Sequence, residues 1–198
     1  MKESIGRQKA VIRQVILQLR DALDTQERAS NSRLIKESLF KLPQFIAARS
    51  VMFYVSFRSE VETHAMIREA LASGKTIFVP VTDMKNKRLA LSRLEDFDRD
   101  LAPGIWGIPE PPQEKIRPVA YHDIDLVIAP GAAFFANGNR IGYGGGFFDR
   151  LLRESKKSAV ALAFEMQILN NIPHDPERDV PVDYIITERR VITCAAMR

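Results

Sequence analysis

Six short apolar runs constrain this chain more than any other feature. Residues 50–57 (SVMFYVSF), 76–80 (TIFVP), 125–130 (DLVIAP), 159–164 (AVALAF) and 184–187 (YIIT) carry apolar side chains almost without a break, and 89–94 (LALSRL) adds a looser sixth. A strand with one wet face alternates apolar and polar residues. A continuous run is what a strand covered on both faces needs, as in a parallel sheet layered between helices. The stretches between the runs read as the covering helices. Residues 5–23 space Ile12, Val15, Ile16, Leu19, Ala22 and Leu23 at three and four, with Arg7, Lys9, Arg13 and Arg20 on the opposite face. Asp24 with Glu27 opens a second helix that Pro43 stops, residues 63–73 end at Gly74, and 147–154 form a fourth. Residues 96–122 hold five prolines and two glycines and read as an ordered but irregular loop. At 198 residues the expectation is one α/β domain over 1–198. It should be a single open, mostly parallel sheet with helices on both faces and two amino-terminal helices packed on it.

Composition narrows the function classes. Cys194 is the only cysteine, so an internal disulfide and a cysteine-rich zinc site are excluded. His64, His122 and His174 have no metal-ligand spacing. No apolar run approaches the roughly 20 residues that span a bilayer, and the first residues lack the apolar stretch of a secretory signal, so a cytoplasmic setting without membrane contact is expected. The net charge of +4 suits an anionic ligand. It is too small, without a helix-turn-helix or an aromatic-basic strand, to favour a nucleic-acid partner.

Residues 138–150 (GNRIGYGGGFFDR) carry the most chemistry. They follow a buried strand and open a helix, the position where open α/β sheets bind ligands. Five glycines let the backbone approach a ligand and aim amides at it, and the helix adds the positive end of its dipole. The loop lacks the Gly-Lys-Ser/Thr ending of a P-loop and the Gly-x-Gly-x-x-Gly of a dinucleotide fold. A tight strand-to-helix turn needs only one or two glycines, so a purely structural loop is the weaker reading.

The same loop resembles the signature of the 5-formyltetrahydrofolate cyclo-ligase family. Further segments agree in order and spacing: Lys9-x-x-x-Arg13, Ser59-Glu60-Val61-Glu62-Thr63, Trp106-Gly107-Ile108-Pro109-Glu110-Pro111, Ala161-Leu162-Ala163-Phe164-Glu165-x-Gln167, and Val182-Asp183 with Thr187-Glu188. The likeness spans nearly the whole chain. It implies conversion of 5-formyltetrahydrofolate, with or without a polyglutamate tail, to 5,10-methenyltetrahydrofolate with ATP and magnesium, by phosphorylation of the formyl oxygen and ring closure by nitrogen-10. Such chemistry asks for positioning and charge neutralisation more than for a covalent nucleophile.

The resemblance also implies residue roles. Lys9, Arg13, Arg140, Ile141, Gly142, Tyr143, Gly144, Gly145, Gly146, Phe147 and Phe148 would hold ATP. Val55, Glu60, Trp106 and the stretch from Tyr143 to Phe147 would hold the folate, with Arg140, Tyr143 and Phe147 nearest the chemistry. Asp149 and Asp183 would serve magnesium. From the residues alone several alternatives stay open: Lys9 and Arg13 also fit a solvated basic face, Asp183 a turn or cap, and Trp106 the core. The chain departs from members that carry Arg and Lys at the positions of Tyr143 and Gly145, and Phe147-Phe148 stands where tyrosines are usual. A monomer or weak dimer is expected. A related α/β enzyme of sugar phosphates or coenzyme A would keep the glycine turn without needing Lys9 and Arg13.

Overall fold

The computed structural model describes residues 2–194. Two long helices lead, α1 (Lys2–Asp21) and α2 (Thr25–Lys41), followed by the short α3 (Pro43–Ala47). The Asp24 carboxylate accepts from the Gln26 amide at 2.6 Å and opens α2, while Pro43 ends it and starts α3. Then come β1 (Ser50–Phe53), α4 (His64–Ala72), β2 (Thr76–Asp83), β3 (Arg88–Leu94), α5 (Phe97–Asp100), and the two-residue strands β4 (Ala102–Pro103), β5 (Pro109–Glu110) and β6 (Pro118–Val119). The last third holds β7 (Leu126–Ala129), β8 (Ala133–Phe135), β9 (Arg140–Ile141), α6 (Phe147–Ser155), β10 (Ser158–Leu162), β11 (Ile168–Leu169), β12 (Tyr184–Ile186) and β13 (Val191–Thr193).

The main sheet has the order β13-β12-β10-β7-β1-β2-β3-β6. Its five central strands, β12 to β2, are parallel, and the outer β3, β6 and β13 pair antiparallel to their neighbours. The central runs are buried on both faces, as their unbroken apolar sequence requires: Val51, Met52, Phe53, Val127 and Ile128 are fully enclosed. One core lies where Ile35, Leu39, Phe45, Met66 and Ile67 pack on Phe53 and Ile128. The other lies where Leu151 and Leu152 of α6 pack on Met52 and Val127. The fold class expected from sequence is the one observed.

Two differences matter. β2 and β3 form a hairpin, although their connecting residues contain no glycine. Asp83 replaces it, accepting from the Asn86 amide (3.0 Å) and side chain (2.7 Å), while Lys87 takes the left-handed backbone (φ 51°). The second concerns α1. Ile12 and Ile16 face the β8–β9 hairpin as expected, but Val15 and Leu19 are half exposed and Arg20 is only 4% exposed. The inward stripe of α1 is Lys9, Arg13, Ile16 and Arg20, spaced i, i+4, i+7 and i+11 on one helical face.

Candidate active site

The chain leaves β1 for β2 on one side, and β7 lies on the other, so the order reverses at the carboxyl end of β1. Open α/β sheets leave a crevice there. Tyr54 and Val55 after β1, and Pro130 after β7, line it. The loop 142–146 crosses its mouth and opens α6. Gly144 (φ 105°) and Gly146 (φ 65°) take backbone that other residues avoid, and no side chain caps the amino terminus of α6.

Two cavities meet at this loop, sharing Arg140, Gly142, Gly145, Gly146 and Asp149. The first, about 180 Å³, is apolar and aromatic: Val55, Pro80, Leu89, Trp106, Ile108, Phe147 and Phe148 line it with the carboxylates of Glu60 and Glu110. The second, about 620 Å³, is a basin whose walls carry six cations (Lys9, Arg13, Arg140, Arg150, Arg153, Arg178) against three carboxylates (Asp149, Asp175, Asp179). Excess positive charge beside loop amides and a helix amino terminus is a polyphosphate environment.

In the basin, Arg13 donates from Nε to the Gly142 carbonyl at 2.7 Å, and a side chain at Gly144 would lie 3.8 Å from its guanidinium. Partial burial holds the Arg13 pKa below its ordinary value. Among the described residues Arg13 has no carboxylate partner, so an anion would relieve that desolvation. Lys9 pairs with Asp179. Arg140, 2% exposed at its side chain, donates to Asp149 at 2.9 Å, and its Nε is buried without a partner. Arg150 donates to the Gly145 carbonyl at 2.7 Å and lies over the Phe147 ring.

A polar chain runs from α1 to the aromatic cavity. Arg20 donates from Nε to Ser59 Oγ (3.1 Å) and from Nη1 to the Tyr143 hydroxyl (2.9 Å), which donates in turn to Glu60 Oε1 (2.5 Å). Ser59 donates onward to Asp21, and Glu60 Oε2 accepts from the Phe57 amide at 2.9 Å. Burial raises the Glu60 pKa, with the Tyr143 and Phe57 hydrogen bonds and the Arg20 charge opposing it. Burial and the nearby Glu60 charge likewise raise the Tyr143 pKa, so it stays a neutral donor. Its hydroxyl is enclosed while 45% of the residue remains exposed, which leaves ring surface for a ligand.

On the far wall, Glu110 is 7% exposed and accepts from the Thr82 amide (3.1 Å) and hydroxyl (2.6 Å). Trp106 is not in the core: it is 60% exposed, in left-handed backbone (φ 58°), with its ring edge-on to Phe147 at 6.5 Å. A non-glycine held in that conformation beside a pocket stores strain typical of a ligand clamp.

The site residues expected from sequence divide accordingly. Lys9, Arg13, Arg140, Gly142, Gly144, Gly145, Gly146 and Asp149 line the basin, and Val55, Glu60, Trp106, Tyr143, Phe147 and Phe148 line the apolar cavity. Ile141 lines neither. It is 1% exposed and packs with Ile16, Ala133 and Ile172. Asp183 is not brought to Asp149. It precedes β12 at the amino ends of the strands, where its carboxylate accepts from Ser158 Oγ (3.0 Å) and the Ala159 amide (2.7 Å). The carboxylates that share the basin with Asp149 are Asp175 and Asp179, and Val180, next to Asp179, donates its amide to Asp149 at 3.1 Å. No group of three or more histidine, cysteine or acidic residues able to enclose a metal occurs among the described residues. Partly exposed carboxylates in a cationic basin nonetheless fit magnesium, a hard ion that takes one or two protein oxygens and completes its shell from phosphates and water.

A sheet-end crevice with an aromatic cavity and a cationic basin joined by a glycine loop defines the ligand site of an α/β enzyme. Known proteins agree. The sequence model of the 5-formyltetrahydrofolate cyclo-ligase family matches residues 5–188. A probable 5-formyltetrahydrofolate cyclo-ligase of Caenorhabditis elegans is 30% identical, covering 93% of this chain and 94% of its own, and that of Mus musculus is 29% identical, covering 93% and 96%. The solved structure of Aquifex aeolicus 5,10-methenyltetrahydrofolate synthetase superposes with a TM-score of 0.83 at 30% identity, over 96% of this chain and 94% of that one. The chain belongs to the 5-formyltetrahydrofolate cyclo-ligase family.

Proposed function

We propose that the chain converts 5-formyltetrahydrofolate to 5,10-methenyltetrahydrofolate with ATP and magnesium, releasing ADP and phosphate. The observation that carries this reading is the shared wall of the two cavities: a pterin in one and a triphosphate in the other would meet at Arg140, Gly142 and Gly145. Lys9, Arg13 and Arg150 hold the phosphates, and Arg140 neutralises charge at the point of transfer. Glu60, fixed by Tyr143 and Phe57, accepts from the donor edge of the pterin. Tyr143, Phe147 and Trp106 confine the ring system and exclude water. Asp149 and Asp179 hold magnesium, which supplies further neutralisation of the phosphates when bound. The formyl oxygen takes the γ-phosphoryl group, nitrogen-10 bonds to the formyl carbon, the carbon–oxygen bond breaks with loss of phosphate, and the nitrogen-10 proton leaves.

Mixing the protein with 5-formyltetrahydrofolate, ATP and magnesium should raise the near-ultraviolet band of the methenyl product, and omitting ATP should abolish the rise. A flat trace with ATP present, from folded protein, would overturn the proposal.

A further inference from the structure

Glu110 is a buried acid to which the reaction above gives no task. It is 7% exposed and lines the aromatic cavity, yet no cation pairs with its carboxylate among the described residues. Thr82 donates to both oxygens, its amide to Oε2 at 3.1 Å and its hydroxyl to Oε1 at 2.6 Å. A carboxylate offers about four acceptor positions, so about two stay open. The backbone holds the side chain in place. Glu110 pairs with Ala102 in the β4–β5 ladder, and a side chain at Gly104 would begin 2.9 Å from the Glu110 Cβ. Enclosing a carboxylate without a cation is costly, and structural packing alone does not call for one here.

Ring closure frees the proton of nitrogen-10 inside this cavity, where the bound rings exclude water. The other polar groups on the walls are poorly placed to take it. Arg140 carries only donors. Burial first, and the Glu60 charge second, raise the pKa of Tyr54 and Tyr143, so both stay neutral phenols. Tyr54 donates to the Val61 carbonyl at 3.0 Å and Tyr143 to Glu60. Glu60 itself accepts from Tyr143 and the Phe57 amide and is committed to the donor edge of the pterin. Asp149 accepts from Arg140 and the Val180 amide.

We infer that Glu110 is the base that receives the nitrogen-10 proton, an inference resting on the folate reading above. With the pyrimidine edge of the pterin at Glu60, the reduced ring and its nitrogen-10 arm extend toward the wall that carries Glu110. The γ-phosphoryl group is by then on the formyl oxygen. The nitrogen-10 lone pair bonds to the formyl carbon, and the proton passes to an open lone pair of Glu110. The nitrogen–hydrogen pair stays on nitrogen and becomes the second carbon–nitrogen bond as the carbon–oxygen pair leaves with phosphate. Glu110 returns the proton to water once the product departs. Thr82 keeps the carboxylate aimed without neutralising it.

The test follows ADP and the methenyl band separately in single turnovers of wild type, Glu110→Gln and Glu110→Asp. Glutamine keeps the volume and an acceptor for Thr82 but takes no proton. In Glu110→Gln, ADP should form within about threefold of the wild-type rate, while the methenyl band lags and its rate falls about a hundredfold, an ordinary contribution for a positioned base. Folate binding, read by quenching of Trp106, the only tryptophan, should stay within about threefold of wild type. Glu110→Asp keeps a carboxylate and should recover part of the methenyl rate. A methenyl rate in Glu110→Gln within about threefold of wild type overturns the inference, as does slowing of ADP and methenyl by one common factor, or a loss confined to folate binding. Should Glu110→Gln fail to fold, Glu110→Asp carries the same comparison, and a methenyl rate slowed there no more than ADP overturns it. Wild type that binds the folate but forms neither ADP nor the methenyl band would overturn the proposed reaction itself, and this step with it.

Discussion

Replacing Arg20 with methionine removes the cation that ties α1 to Ser59 and to Tyr143 of the aromatic cavity. Arg20 makes two hydrogen bonds, to Ser59 Oγ and to the Tyr143 hydroxyl. A hydrogen bond to a charged group contributes about 1.5–3 kcal/mol, and the lower end applies here because each partner keeps another bond, Ser59 to Asp21 and Tyr143 to Glu60. At about 1.4 kcal/mol per factor of ten, kcat/KM for the folate should fall between about tenfold and about a hundredfold. The KM for ATP should change little, since Arg13 keeps its own bond to Gly142. The pH profile separates this from a packing defect. Glu60 accepts donors only as a carboxylate, so folate binding is present above its pKa and lost as pH falls through it. Burial already raises that pKa, and Arg20 is one of the groups opposing the rise, along with Tyr143 and the Phe57 amide. Without Arg20 the acid limb should move to higher pH, and Arg20→Lys should restore it in part. Initial rates from pH 5 to 9 at saturating ATP provide the assay. An unmoved acid limb, or equal losses for folate and ATP, would refute the reasoning.

Tyr143→Phe keeps the ring but cuts the link from Glu60 to Arg20, and should raise the KM for the folate about tenfold with kcat less affected, as steady-state kinetics would show. Gly145→Ala would put a methyl 2.6 Å from the Phe147 ring, so folate turnover should fall while thermal unfolding stays near wild type. Asp179→Asn should raise the magnesium concentration for half-maximal rate, whereas Asp183→Asn should leave that titration unchanged and lower thermal stability instead. Gly138→Ala places a side chain 2.2 Å from the Val182 carbonyl at φ 93°, a cost of about 3 kcal/mol that calorimetry should report as a drop of about 6–12 °C in Tm.

How much of this was legible follows from what kind of signal each residue leaves. The central strands announce themselves because burial on both faces disfavours polar residues, and the glycine loop because its backbone is left-handed at Gly144 and Gly146, which glycine adopts at least cost. The direction of β3 was not legible, since its turn uses Asp83 and Asn86 in place of glycine. Arg20 was misjudged because charge on a helix ordinarily faces water; the clue was its i, i+7 and i+11 register with Arg13 and Lys9, which places all three over the glycine loop. Asp179 left no periodic trace within a proline-bearing loop, while Asp183, immediately before a strand, carried a motif whose role is to hold the amino ends of β10 and β12 together. The setting of Glu110 depends on contacts between segments far apart in sequence, which no local pattern records.

The ion pair between Lys9 and Asp179 joins residues 170 positions apart, and the amide of Val180 closes onto Asp149 beside it. The basin is therefore assembled from the first and last portions of the fold. A ribosome-bound chain that has completed α1, the glycine loop and α6 still has no wall on that side. During synthesis the aromatic cavity can form first, and completion of the cationic basin has to wait for the segment around Asp175 and Asp179. Premature termination anywhere before that segment leaves the cationic basin without that wall, however much of the sheet has formed.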